Sequence, residues 1–133
     1  MKPISASIVR ALPVGAYLNV ADNSGAKVVK LIAVKGYKGR KRRLAKAGIA
    51  DLVIVSVRDG KPDMIGQIFK AVVVRMKKEW RRRDGTRIKF EDNAVALLKD
   101  DYGTPKGTII KTPIAKEVAE RWPDLAKIAR IIV

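Results

Sequence analysis

The sequence predicts a mainly β fold: a small barrel of antiparallel strands, closed by two short helices at the C-terminus. Three observations carry this prediction. Most of the first 111 residues fall into short runs rich in Val, Ile and alternating apolar positions, separated by Gly, Pro, Asn and Asp. No helical spacer stands between those runs, which argues for antiparallel rather than βαβ packing. After Gly107 the apolar spacing changes from two to that of a helix. A barrel is favoured over an open sandwich because a small all-β domain must hide its strand edges, and closure removes them.

The elements follow in order. SASIVRAL (residues 5–12) alternates, and Pro13 and Gly15 end it. AYLNVAD (16–22) runs into Asn23-Ser24-Gly25, a turn signal that asks for positive φ at or near Gly25. AKVVKLIAVKGYKG (26–39) is β-branched, with lysines breaking its apolar positions. GRKRRLAKAG (39–48) is too polar for a core strand and reads as a loop. IADLVIVSVRDG (49–60) is a buried strand closing on Asp59-Gly60, and KPDMIGQ (61–67) is a connector. IFKAVVVRMKK (68–78) is the strongest strand signal, with three consecutive valines. TRIKFEDNAVALLKDD (86–101) supplies a hairpin-like pair of short strands. Thr112-Pro113 resembles an N-cap followed by Pro at the first helical position. A helix from there would place Ile114, Val118 and Trp122 on one face; Pro123 would open a second, with Leu125, Ile128 and Ala129 inward. One domain over 1–133 is expected, residues 1–111 forming the barrel with its basic loops and 112–133 the helical part. A chain of 133 residues can bury roughly two-thirds of its unfolded surface, enough for one core.

The charge speaks to partners. Lys and Arg number 29 against 13 acids, a net +16. Residues 35–46 carry seven cations and no acid, and residues 75–89 carry eight cations and two acids, so 15 of the 29 sit in these two stretches. Charge serving solubility alone would be interspersed with acids. Cations crowded together repel one another unless a polyanion neutralises them, and phosphate contacts also release condensed counterions. The expected nucleic-acid contacts are Lys35, Lys38, Arg40, Lys41, Arg42, Arg43 and Lys46 in the first stretch. In the second they are Arg75, Lys77, Lys78, Arg81, Arg82, Arg83, Arg87 and Lys89. The preponderance of Arg suits folded RNA, since guanidinium groups fork onto phosphates and stack on unpaired bases. Tyr37 and Trp80 lie inside the basic stretches and could stack on a base or pack down as anchors. Replacing Arg81, Arg82 and Arg83 together is expected to leave the fold intact.

Other classes are excluded or demoted. With no His and no Cys there is no imidazole base, no thiolate and no zinc site of the usual kind, so neither enzyme nor metal or cofactor site is expected. No run approaches the roughly 20 apolar residues of a membrane span, and MKPISASIVR lacks a signal-peptide core, so no membrane partner and a cytoplasmic location are expected. A free-standing RNA-binding barrel of OB type would want aromatic platforms on its strands, and only seven aromatics are present.

Specific residues then point to a family. LNVADNSGAK (18–27) and KAVVVRMKKEWRRRDGTRIKFEDNAVALL (70–98) resemble the universal large-subunit ribosomal protein L-fourteen family. Its pattern of Asp-Gly, four residues, an aromatic, two residues and Asn is met by Asp84-Gly85, Phe90 and Asn93; Ala96 departs from a preferred Val. GTIIKTPIAKEV (107–118) resembles the family's last strand and its turn into helix, and the two ends of the chain resemble the archaeal and eukaryotic branch.

The resemblance implies a closed five-stranded antiparallel β-barrel with a projecting hairpin and two short C-terminal helices. It also implies binding to large-subunit rRNA at the face that meets the small subunit, with intersubunit bridges to small-subunit rRNA. Expected neighbours are ribosomal proteins of the L-three and L-twenty-four-e types, an anti-association factor and, in other lineages, a silencing factor. Asn23, Gly25, Asp84 and Gly85 are then structural turns. Tyr102, Lys106, Glu117, Glu120 and Arg121, at the less basic end, are expected to meet proteins or the subunit joint. Deleting residues 119–133 is accordingly expected to weaken subunit joining more than rRNA binding.

Overall fold

The computed structural model describes residues 2–133. Its strands are β1 (Ala6–Ser7), β2 (Leu12–Pro13), β3 (Tyr17–Val20), β4 (Ala26–Val34), β5 (Lys46–Ala47), β6 (Leu52–Gly60), β7 (Ile68–Arg75), β8 (Trp80–Arg82), β9 (Arg87–Ile88) and β10 (Ala94–Leu98); the helices are α1 (Lys116–Arg121) and α2 (Pro123–Ile128). Five strands close into a barrel in the order β10-β3-β4-β6-β7. Four seams are antiparallel. The fifth corrects the all-antiparallel expectation: β3 and β10 run parallel, with Asn19 opposite Ala94 and Val20 opposite Val95. A parallel pair needs a long crossover, and the whole chain between residues 21 and 93 supplies it.

Alternation along β4 and β6 turns Val29, Leu31, Val53, Val55 and Val57 into the barrel, where each is fully buried. Three register shifts between β4 and β6 give the long strand its coil. The unbroken run Val72–Val74 has a different cause. The amide of Ala115 donates to Val74 O (3.2 Å), and Ile114, Val118, Trp122 and Leu125 join the same apolar cluster as the barrel. With both faces of β7 covered, every position from Ala71 to Arg75 is buried.

The first helix starts later than its sequence suggests. Ala115, not Thr112, is the N-cap, and no side chain caps it. The intervening residues are held extended: Ile114 bridges Ile132, and its amide donates to Ile131 O (3.0 Å). Tertiary hydrogen bonds outcompete a local capping signal. The second helix does open on Pro123, while Ala129 leaves it to bridge Ile110. The indole of Trp122 donates to Ala50 O (2.9 Å), fixing the helical part to the barrel.

Two small sheets lie outside the barrel, β1-β8-β9 and β2-β5, so the segment 39–48 is a loop only as far as Ala45. At the other end, Gly25 and Gly60 face each other at positive φ (+108° and +146°), and a Cβ on Gly60 would lie 2.6 Å from Gly25 O. Backbone on the far side cannot swing away. Gly60→Ala is expected to cost about 2 kcal/mol through backbone strain and overlap, read as a lower denaturation midpoint.

Candidate nucleic-acid interface

Both basic stretches project as arms rooted in the barrel. The first leaves β4 at Val34 and returns through β5. Near its tip the amide of Arg43 donates to Arg40 O (3.0 Å), and Arg42 sits in the left-handed region at φ 65°. That tight turn throws Lys41 and Arg42 outward. At the root, Asp101 lies 2.8 Å from Lys70 Nζ and 3.5 Å from Lys35 Nζ. Tyr37 is half-buried there, and its hydroxyl is buried without a hydrogen-bond partner among the described residues.

The second arm is a hairpin, not a loop. Its strands β8 and β9 pair at Trp80–Ile88 and Arg81–Arg87. Gly85, at φ 92°, and Asp84 make its turn: Asp84 accepts from the Thr86 hydroxyl (2.7 Å) and amide (3.0 Å). The Thr86 hydroxyl holds the Asp84 carboxyl below its ordinary value. The family-pattern residues build the same hairpin. Phe90 stacks on Trp80 at 6.0 Å, and Asn93 Oδ1 accepts from the Lys77 amide (2.8 Å).

Period-two alternation sorts the hairpin's side chains. Trp80 and Arg82 share the inner face; Arg81 lies on the outer one. Trp80 is fully buried and donates from its indole to Glu117 Oε1 (3.2 Å), so it has no face for a base: the stacking alternative is corrected, and Trp80 packs down as an anchor. Arg82 is also turned inward. It donates to Glu117 Oε1 (2.9 Å) and Oε2 (3.3 Å) and to the main-chain oxygen of Val133 (2.7 Å). Arg75 is 6% exposed; it grips Asp92 through Nε (2.8 Å) and Nη2 (2.9 Å) and donates from Nη1 to Pro113 O (3.1 Å). Neither arginine has a guanidinium to spare for phosphate, which corrects their placement among the contacts. Two carboxylates hold the hairpin to the body: Asp92, unremarked in the sequence, and the buried Glu117, which the sequence placed on the surface.

The Arg75 guanidinium pulls the Asp92 carboxyl below its ordinary value of 3.8, against the opposing effect of burial. A depressed folded-state value means the ionised form is favoured by folding. Its contribution is complete above the unfolded value and is lost as pH falls through the lower folded one. Stability is therefore expected to fall below about pH 4, and less steeply in Asp92→Asn, as read by urea midpoints across pH 2–6.

What remains on the arms is Lys38, Arg40, Lys41, Arg42, Arg43 and Lys46, with Lys77, Lys78, Arg81, Arg83 and Lys89. All eleven are exposed, and none has an ion-pair partner among the described residues. Arg87 is exposed and stands 3.8 Å from Glu79. The N-terminal segment brings the arms together. Ser7 pairs with Arg81, and Leu12 pairs with Ala47. Between them the chain crosses Gly48 so closely that a Cβ there would lie 2.7 Å from Ile8 Cγ2. The stretch from Ser7 to Leu12 spans at most roughly 17 Å even fully extended, so both arms stand close enough to meet one polyanion.

At the less basic end, Tyr102 is 88% exposed and Glu120 is exposed. Lys106 is half-buried over the Phe69 ring at 4.9 Å. Glu117 is buried, so it is corrected from a surface contact to an internal anchor. Arg121 reaches Lys2 O (2.8 Å) and Asp51 (3.7 Å), an internal clasp in place of the expected outward contact. Asn23 ties its turn to residue 108, donating to the Thr108 hydroxyl (2.7 Å) and accepting from its amide (2.8 Å). Among the described residues no cluster of acids could hold a metal ion, and no helix is long and apolar enough to cross a membrane.

Comparison with known proteins agrees with this architecture. The family described as Ribosomal protein L14p/L23e matches residues 11–133. The chain is 52% identical over 132 residues to the Large ribosomal subunit protein uL14 of Methanococcus vannielii, covering 99% of each chain. It is equally similar to the protein of the same name from Methanococcus maripaludis strain C7.

Proposed function

Because the chain belongs to the L14p/L23e family of ribosomal proteins, we propose that its two basic arms bind large-subunit rRNA. As a member of that family it is a structural constituent of the large ribosomal subunit, placed in the cytoplasm within the ribosome, and not an enzyme. The observation that carries the proposal is the set of eleven exposed, unpaired cations on two adjacent arms, while the inward-facing Arg75 and Arg82 are matched to carboxylates. Internal neutralisation where the chain folds, and little where it projects, is what an external polyanion requires. The test is binding of the purified chain to large-subunit rRNA over a salt series. Salt-insensitive or absent binding in dilute buffer would overturn it.

The whole chain, 1–133, acts as one domain in this reading, with barrel and helices sharing a core. A stand-alone OB-type role gains no support, since Trp80 is buried and the strands carry no row of aromatic platforms. The end bearing Tyr102 and Glu120 faces the subunit joint, contributing to bridges with small-subunit rRNA. Neighbours of the L-three and L-twenty-four-e types and the anti-association and silencing factors dock on the remaining surface.

Deleting residues 119–133 cannot test this, because it would remove the buried Trp122 and Leu125. Tyr102→Ala is the cleaner probe. Its side chain is almost wholly exposed, so stability should change by less than about 0.5 kcal/mol. Association of the subunits, measured by sedimentation, should weaken several-fold while rRNA affinity holds.

A further inference from the structure

We propose that the open cleft at the foot of the hairpin receives one unpaired guanine of the RNA; this rests on the rRNA-binding reading above. The cleft has a volume of about 920 Å³, and Lys77, Lys89, Phe90, Glu91, Thr112 and Pro113 are among its lining residues. Small-molecule sites occupy this size range, so a base with its ribose fits. One wall is the hairpin's return, the other the extended segment before α1. Both are fixed before any ligand arrives. The Phe90 amide donates to Met76 O (3.0 Å) on the first wall. Arg75 joins the walls, gripping Asp92 on one side and donating to Pro113 O on the other. A site held this way loses little order on binding.

The chemistry of the lining selects the occupant. Lys77 and Lys89 are exposed and have no ion-pair partner among the described residues, which places positive charge where flanking phosphates would pass. Phe90 and Pro113 give the cleft apolar surface for a base. Glu91 is the feature that backbone binding alone does not explain. An exposed carboxylate in a cleft that also holds two lysines repels phosphate, yet it has neither hydrogen bond nor ion pair among the described residues. A carboxylate only accepts, and its two oxygens match two parallel donors. Guanine presents such a pair on its Watson–Crick edge, N1–H and N2–H. The Thr112 hydroxyl remains for the sugar.

Large-subunit rRNA is probed with a glyoxal reagent that modifies unpaired guanine at N1 and N2, alone and bound to wild-type protein, Thr112→Trp or Glu91→Ala. Thr112 is exposed, and its Trp replacement would fill the cleft without removing a cation. The expected result is a guanine protected by wild type and reactive again with both variants. Affinity should fall on the order of 10-fold, the loss of one stacked base, with the salt slope unchanged. If Thr112→Trp does not fold, Glu91→Ala decides alone. Variants that bind as wild type does and leave every protected guanine protected would overturn the inference. Failure of the wild type to bind the rRNA at all would instead remove the parent reading.

Discussion

Glu117→Ala is expected to lower the thermal midpoint by about 10 °C or more, the largest effect of any single substitution outside the barrel core. The carboxylate is 1% exposed and accepts from Arg82 twice and from the Trp80 indole. Removing it leaves a guanidinium, 12% exposed, and an indole N–H without their partner. Breaking a buried pair from one side costs about 3–5 kcal/mol, and for a chain of this size each kcal/mol is worth roughly 3–5 °C. The double substitution Glu117→Leu with Arg82→Met should recover most of the loss, because both charges leave together. RNA affinity should also fall in Glu117→Ala, although the variant gains net positive charge, because the hairpin loses its anchor. Calorimetry on the three proteins would settle the matter; a midpoint within about 3 °C of wild type would sink the anchor assignment. The same geometry reverses the expectation that Arg81, Arg82 and Arg83 can be replaced together with the fold intact. Arg82 alone would leave the buried Glu117 carboxylate unpaired.

The complementary prediction concerns Arg81 and Arg83, which flank Arg82 and face solvent. If about eight phosphates are met by the arms, log affinity should fall with log salt at a slope of about −6 to −7, or roughly four decades between 50 and 200 mM. Replacing Arg81 and Arg83 with Ala should flatten that slope by about two units and weaken binding equally across RNA sequences. Stability should stay within about 0.5 kcal/mol, since neither side chain is buried. Arg82→Ala should do the opposite, losing stability first. An unchanged slope in the double variant would mean that these guanidinium groups do not touch phosphate.

Three adjacent arginines thus divide into two exposed cations and one anchor. The sequence held a faint signal of this: in Trp-Arg-Arg, period-two alternation puts Trp80 and Arg82 on one face. The alternation was legible, but the identity of the opposing group was not. Glu117 lies 35 residues further on, in a helix whose start was itself misplaced because tertiary hydrogen bonds hold Ile114 and Ala115 extended. Arg75 and Asp92 are likewise 17 residues apart and belong to different strand ends. Nor could the N-terminal segment be seen to stitch the arms together: the alternation of residues 5–12 suggests a single strand, whereas the chain pairs only through β1 and β2, two residues each, with partners far away in sequence.

The sequence by itself determined the mainly β character, the two late helices, the turns at Gly25 and Gly85, and the concentration of cations in two stretches. These are local properties, set by backbone sterics, side-chain periodicity and composition over a few residues. Only the tertiary structure decided which cations are free, which strand seam is parallel and how near the arms stand to each other. Those depend on which carboxylate or strand lies opposite, and contacts between residues far apart in sequence leave no mark on either partner's neighbours.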